Sequence, residues 1–350
     1  MKRKGLKIGL ALSGGGMRAI IFHLGVLKYL AEKKLLEKIE YISTVSGGSI
    51  CIALMYTINN MRWVTSEEYL SRVLPIIRKV ILREDIELRL LETSILDILH
   101  IFETKSKKFS ENLKIMWGVE GKLGELSKRP RWDINAVTYE TGNRFFFSQD
   151  RCGDESLGYF YGDEIDISDA ITASAGFPVL IGMYELKREN FQWYDRYGER
   201  KIELNREKIH LWDGGIYDNL GVEPIFKKVL KDEKELNFYI VSDAGASLKG
   251  FVPYRKDIFG RTRALKRLLD ISMEQVDNLN SKFYNEYIVK ENRGIYIRIG
   301  EKSRSKKIKN GLQERECKWA KNYPTNLKKP SEEDFDKLLK HGYESVINTI

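Results

Sequence analysis

Four short, nearly continuous apolar runs, at 8–12, 39–42, 209–212 and 238–241, constrain this chain most. They are too short for helices and too unbroken for strands wetted on one face, so they read as strands buried on both faces, as in parallel sheets. Helix-period stretches lie between them at 20–34, 50–58, 224–230 and 265–289. That alternation predicts an α/β protein, a three-layer α/β/α arrangement with helices on both faces of a mostly parallel central sheet. Ligands in such sheets bind at the carboxyl ends of the strands. With 350 residues, no internal repeat and no low-complexity linker, the chain reads as a single decorated domain over 1–350. A charged, helix-patterned insertion occupies about 59–130 and is placed to cover a site. A second insertion at about 184–203, rich in aromatic and charged residues, reads as a surface hairpin, with a lipid-touching aromatic tip as the functional alternative.

Three strand ends carry residues suited to chemistry. Thr44-Val45-Ser46-Gly47-Gly48-Ser49 follows an apolar run and opens an uncharged segment reaching Met61. A serine in a sharp strand-to-helix turn can hold its hydroxyl clear of the backbone at a helix N-terminus, where negative charge is stabilised. The usual elbow is Gly-x-Ser-x-Gly, and Thr44 stands at its first glycine; the pattern alone also fits an ordinary turn. In Leu12-Ser13-Gly14-Gly15-Gly16-Met17-Arg18 a strand enters three glycines and then a helix. Consecutive glycines can turn backbone N–H groups toward one point and form a nest for a phosphate or an oxyanion. The dinucleotide and P-loop spacings are absent, which argues against nucleotides. The third stretch, Trp212-Asp213-Gly214-Gly215, places an aspartate at a strand end and lacks the alternating carboxylates of a calcium loop.

In this order and spacing, Gly-Gly-Gly-x-Arg, a serine elbow about 30 residues later and a distant Asp-Gly-Gly resemble the patatin-like phospholipase family. Trp132-Asp133-Ile134-Asn135-Ala136-Val137, the stretch from Ala170 to Pro178 and His341-Gly342-Tyr343 extend the resemblance over nearly the whole chain. It is weakest over 59–130. The resemblance implies Ser46 as nucleophile, Asp213 as its base, and amides around Gly14, Gly15 and Gly16 as the oxyanion hole. Arg18 stands beside the hole, either stabilising charge or holding the loop by an ion pair. The chain departs from the family at Thr44 and at Ala19, where glycine is frequent. The implied activity is lipid acyl hydrolysis of the phospholipase A or lysophospholipase type through an acyl-serine intermediate, with no cofactor and no metal. An acyltransferase using the same dyad and a catalytically silent membrane-binding scaffold are the alternatives.

A histidine base is the commoner arrangement, because its pKa suits proton transfer near neutrality. Of the four histidines, His23 reads as a helix-face residue, His100 lies in the insertion and His341 in the final helix. Strand alternation turns His210 away from the face of Asp213. Cys51, Cys152 and Cys317 are widely spaced and without metal-ligand pattern, which suggests a reducing, cytoplasmic setting. The net charge of +9 suits transient, peripheral contact with the inner face of an anionic membrane. The densest basic run, 302–309, has no zinc finger, RNA-recognition signature or basic-aromatic stripe, so nucleic acid is not expected. Phospholipid or another acyl lipid is the expected substrate.

Overall fold

The computed structural model describes residues 5–92, 101–178, 181–231, 235–246, 248, 250, 260–302, 311–347 and 349. The basic run, apart from Lys302, and His100 lie outside the described residues.

The strands are β1 Ile8–Leu12, β2 Ile39–Val45, β3 Arg131–Thr138, β4 Arg144–Phe147, β5 Cys152–Asp154, β6 Gly158–Phe160, β7 Tyr184–Lys187, β8 Trp193–Tyr194, β9 Lys201–Ile202, β10 Lys208–Asp213, β11 Phe238–Asp243 and β12 Gly294–Arg298. The helices are α1 Gly16–Glu32, α2 Gly47–Ile58, α3 Ser66–Glu68, α4 Leu74–Arg83, α5 Ile86–Glu92, α6 Ile101–Trp117, α7 Ile167–Ser174, α8 Gly215–Asp218, α9 Glu223–Leu230, α10 Gly260–Tyr284, α11 Glu314–Lys321 and α12 Glu332–Ile347. Helices on both faces of a central sheet make this the α/β fold expected from the sequence.

The sheet order is β12-β11-β1-β2-β3-β4-β5-β6-β8-β9, with β10 pairing β3 and β7. From β12 to β3 every pairing is parallel. Side chains in this half alternate between two cores. Ile8, Leu10 and Leu12 of β1 join the larger core, while Ala11 joins the smaller one with Tyr239 and Val241 of β11. Burial on both faces explains why these strands read as unbroken apolar runs. On the larger-core side α12 lies against α1 so closely that a Cβ at Gly25 would overlap Leu339 O, and one at Gly342 would overlap Phe22 O.

The sheet is mixed: β3, β4, β5, β6, β8 and β9 pair antiparallel in that order, and β10 is antiparallel to both β3 and β7. The residues between β7 and β10 are spent on the β8–β9 hairpin and supply no crossover helix, so the chain returns beside β7 in the opposite sense. The register matters for the site. β2 pairs with β3 as far as Val45 opposite Asn135, and β10 takes the same edge of β3 from Asp213 opposite Ala136. The carboxyl ends of β2 and β10 therefore meet head-on, bringing residues 46 and 213 together from 167 positions apart.

The described part of 59–130 contains α3, α4, α5 and α6. Its α6 packs on α7, where Ser110 Oγ donates to Asp169 Oδ1 at 2.6 Å and Lys114 pairs with Asp166 at 2.5 Å. The 184–203 stretch contains the β8–β9 hairpin, but its largest aromatics turn inward. Phe191 and Trp193 stack on Phe160 at 4.3 and 4.6 Å, leaving Tyr197 exposed.

Candidate active site

The elbow is strained and held. Ser46 has φ 49° and ψ −115°, a region that costs a non-glycine residue about 1–3 kcal/mol. Its carbonyl accepts the first hydrogen bond of α2, from Ile50 N at 3.0 Å. Its N–H donates to Ser174 Oγ at 3.0 Å, at the end of α7. Behind Ser174 runs a buried series of hydroxyls. Ser49 Oγ lies 2.9 Å from Ser174 Oγ and 2.8 Å from Thr44 Oγ1, which accepts from Trp132 Nε1 at 2.8 Å. Thr44, the departure from the elbow pattern, is thus a working member of the support. The turn then needs small residues, since a Cβ at Gly47 would lie 2.6 Å from Gly16 O and one at Gly48 2.5 Å from Leu12 O. Ala19, the other departure, presents its methyl to Gly47.

The glycine loop closes the site from the other side. Gly15 (φ 141°) and Gly16 (φ 60°) hold conformations that favour glycine. The loop is pinned by Ser13 N to Ser242 O at 3.1 Å, by Ala244 N to Ser13 Oγ at 2.8 Å and by Met17 N to Asn326 O at 2.7 Å. Gly14 lies against Ser46, but its N–H donates to Asn219 O at 3.0 Å and is not free to bind an oxyanion. The Gly15 and Gly16 amides make no hydrogen bond among the described residues. Ser46 and Gly15 are also partly exposed, while the residues on either side of each are buried.

Asp213 is buried, and its Oδ1 accepts from Gly215 N at 2.7 Å. The Ser46 side chain lies near enough to the same carboxylate to favour its ionised form. Burial pushes this carboxyl up from its ordinary 3.8 to about 7, although the bond from Gly215 and the neighbouring Ser46 pull it down. The group therefore has the basicity of an imidazole.

Arg18 is buried, its Nε donating to Ala244 O at 2.9 Å and its Nη1 to Tyr323 O at 2.5 Å. Nη2 has no hydrogen-bond partner among the described residues and lies beside Gly15. Burial lowers the guanidinium to about 10, against the opposing charge of Asp243, so it remains a cation at neutral pH. Arg18 bonds the backbone carbonyls of Ala244 and Tyr323, where the sequence left open charge stabilisation or an ion pair holding the loop.

His23 is fully buried, with Nε2 3.0 Å from Ser13 O and Nδ1 2.8 Å from Ser242 Oγ. A carbonyl can only accept, so Nε2 carries the proton and Nδ1 accepts from the serine. Burial lowers this imidazole to about 4 and keeps it neutral. It is a strut under the glycine loop. His210 points elsewhere, its Nδ1 2.6 Å from Glu140 Oε1, and His341 Nε2 accepts from Gly300 N at 2.8 Å.

Sequence reasoning missed Ser174, although its stretch was singled out, and Asn219. Asp218 caps the following helix, accepting from Glu223 N at 2.8 Å. Asn219 instead faces α10, its Nδ2 3.3 Å from Asp277 Oδ2, while its carbonyl holds Gly14. Cavities of about 420 Å³ beside Trp319 and Tyr323 and about 430 Å³ beside Phe226 and Phe283 are lined by neither Ser46 nor Asp213. Among the described residues no three His, Cys, Asp or Glu side chains gather as metal ligands do.

The sequence pattern described as patatin-like phospholipase matches residues 10–226. The chain belongs to that family. The fold agrees: human GIVD cytosolic phospholipase A2 superposes with a TM-score of 0.61 at 13% identity, over 99% of this chain and 62% of the human one. The same human protein in complex with methyl gamma-linolenyl fluorophosphonate gives a TM-score of 0.55 at 14% identity, over 99% and 58%. This patatin-like chain thus spans about three fifths of the solved human structure. A comparison with curated protein sequences finds no significant match. The three glycines, the serine elbow and Asp213 all lie within the matched region.

Proposed function

We propose that the protein is a lipid acyl hydrolase of the phospholipase A or lysophospholipase type, using a Ser46–Asp213 dyad. The observation that carries this reading is the meeting of a strained, partly exposed serine with a buried carboxylate whose proton affinity burial has raised. Ser46 Oγ attacks the ester carbonyl and passes its proton to Asp213. The tetrahedral oxyanion is held by the unpaired Gly15 and Gly16 amides and by the N-terminus of α2. Collapse expels the alcohol, which takes the proton back from Asp213 and leaves an acyl-Ser46 ester. Asp213 then deprotonates water, which attacks the acyl group; the tetrahedral intermediate collapses to fatty acid, and the departing Ser46 Oγ takes the proton back from Asp213. An ordinary carboxylate is a weak base for a hydroxyl, and its raised pKa narrows that gap. Gly215 N–H fixes the carboxylate by one oxygen, leaving the other for the serine proton.

The substrate would be met at a bilayer surface by a peripheral protein of the cytoplasm. No helix among the described residues is long and apolar enough to cross a membrane. The direct test is to incubate the protein with phospholipids and lysophospholipids and separate the products, alongside labelling by a fluorophosphonate probe. Released fatty acid, with label lost in Ser46→Ala, is expected. Acyl transfer to an added alcohol without free fatty acid would establish the acyltransferase alternative, and absence of both label and turnover would establish the silent scaffold.

A further inference from the structure

Asn219 sits where three turns converge, and each turn leaves room for it with a glycine. Its Oδ1 lies 2.4 Å from the position a Cβ would take at Gly14, in the glycine loop, and 2.9 Å from that position at Gly215, in the turn after Asp213. Its Nδ2 lies 3.3 Å from the same position at Gly245, just after β11. Both dyad residues are close by. Ser46 Cβ is 3.3 Å from the Gly14 position and Asp213 Oδ1 is 3.0 Å from the Gly215 position, so the Asn219 amide is a neighbour of each. The main-chain carbonyl adds a tie, accepting from Gly14 N at 3.0 Å. A single residue thus spans the glycine loop and the turn that carries the base.

Helix α10 anchors this amide from behind. At 3.6 residues per turn Lys266, Met273, Asp277 and Asn280 fall within about 60° of one another on that helix. Each of them reaches the surroundings of Asp213. Lys266 Nζ stands 5.9 Å from the ring of Phe177, and the carbonyl of the adjoining Gly176 accepts from Asp213 N at 3.2 Å. Met273 Cε lies 3.4 Å from the Gly215 Cβ position, and Asn280 Nδ2 donates to Asp218 Oδ1 at 3.0 Å. Asp277 Oδ2 accepts from Asn219 Nδ2 at 3.3 Å.

Asp277 is an unusual group to bury at that point. Its Oδ1 is buried without a hydrogen-bond partner among the described residues. Burial pushes its carboxyl well above the usual carboxylate range, and the charges of Asp243 and Asp218 add to the rise. An apolar side chain would fill the space without an unpaired polar atom. What the carboxyl supplies instead is a fixed acceptor, which turns the Asn219 amide so that Nδ2 faces α10 and Oδ1 faces the glycines.

We propose that Asn219 is a positioning residue for ester hydrolysis. Anchored on Asp277, its side-chain amide wedges the glycine loop and the turn after Asp213 at the separation that the tetrahedral oxyanion requires. The proposal rests on the reading of the chain as a lipid acyl hydrolase, and adds to that reaction a residue outside the dyad and the hole.

The test uses the full chain and para-nitrophenyl butyrate, a soluble ester. Asn219→Ser withdraws the wedge but keeps the main-chain carbonyl, and Asp277→Ala withdraws the anchor alone. Both should lower kcat by about tenfold or more, with KM within about twofold of the wild type. A trifluoromethyl ketone, which a serine converts to a tetrahedral oxyanion, should bind either variant more weakly by the factor lost in kcat. Fluorophosphonate should still label every chain, but more slowly. Asp277→Asn keeps the acceptor and the shape of a protonated acid, and should restore kcat. Amide hydrogen exchange reads the wedge without any activity: Gly14 N–H should exchange faster in Asn219→Ser and Asp277→Ala, and at the wild-type rate in Asp277→Asn. Unaltered kcat or unaltered Gly14 exchange in the first two variants overturns the proposal. So does a kcat lowered only in proportion to the fraction of chains that label, as loss of folded protein would give, or an Asp277→Asn protein as impaired as Asp277→Ala. Should Asn219→Ser fail to fold, the two Asp277 variants decide alone. A wild type that neither labels nor hydrolyses, while its Gly14 exchange answers to both substitutions, would sink the hydrolase reading and leave the wedge in place.

Discussion

Replacing Asp213 with asparagine isolates the energetic cost of the proposed base. Asparagine keeps the shape and the acceptor for Gly215 N–H but carries no charge at any pH. Asp213 is raised from 3.8 to about 7 by burial, so the folded protein holds this proton more tightly than the unfolded chain does. The stability it contributes is complete below about 4, declines as pH rises, and is lost above about 7. At 1.36 kcal/mol per pH unit the difference is about 4 kcal/mol. Asp213→Asn should therefore match the wild type near pH 3 to 4 and exceed it by about 4 kcal/mol near pH 8. An unfolding entropy of about 2.1 cal/mol/K per residue, over this chain, turns that into about 5 °C in melting temperature. Paired thermal melts across the range measure the gap, and other titrating groups cancel because both proteins share them. A gap that stays constant from pH 5 to 8.5 would refute the argument that a buried carboxylate here is held near neutrality. Hydrolysis should follow the same titration, rising with a midpoint near 7 in the wild type, which on a pH profile alone imitates a histidine.

Two further outcomes test the support of the site. Ser174→Ala leaves the Ser46 N–H without its partner, a loss of about 1–3 kcal/mol for a buried donor, and should slow fluorophosphonate labelling and kcat by about tenfold or more with little change in KM; unchanged kcat would remove Ser174 from any role in positioning. His210→Asn and His341→Asn should each retain most hydrolysis, because their rings bond Glu140 and Gly300, and complete loss in either correctly folded variant would reveal a missed triad.

What the sequence made legible was local. Ser46 and the three glycines announce themselves because a sharp turn packed against a helix start leaves no room for side chains, and glycine is the visible trace of that crowding. The parallel strands were equally plain, since burial on both faces erases alternation. The direction of β10 was not, because the same apolar run serves a strand of either sense and only its neighbours decide. The elbow's supports were hidden for a related reason: Ser174 and Asn219 act on residues 128 and 205 positions away, and nothing in their own neighbourhood records the pairing. The hairpin aromatics misdirect similarly, since Phe191 and Trp193 find Phe160 only once the strands have assembled.

The way the glycine loop is pinned has a consequence for biogenesis. Strand β1 gains its second neighbour only with β11, about 230 residues after it, and the loop waits further for the carbonyls of Tyr323 and Asn326. At roughly 5–20 residues per second, the ribosome needs about 10–45 s between making β1 and making β11. Throughout that interval the serine elbow exists without a completed hole opposite it. A nascent chain that already carries Ser46 and Asp213 is therefore expected to be inert toward fluorophosphonate until the residues through Asn326 have emerged and the glycine loop is pinned.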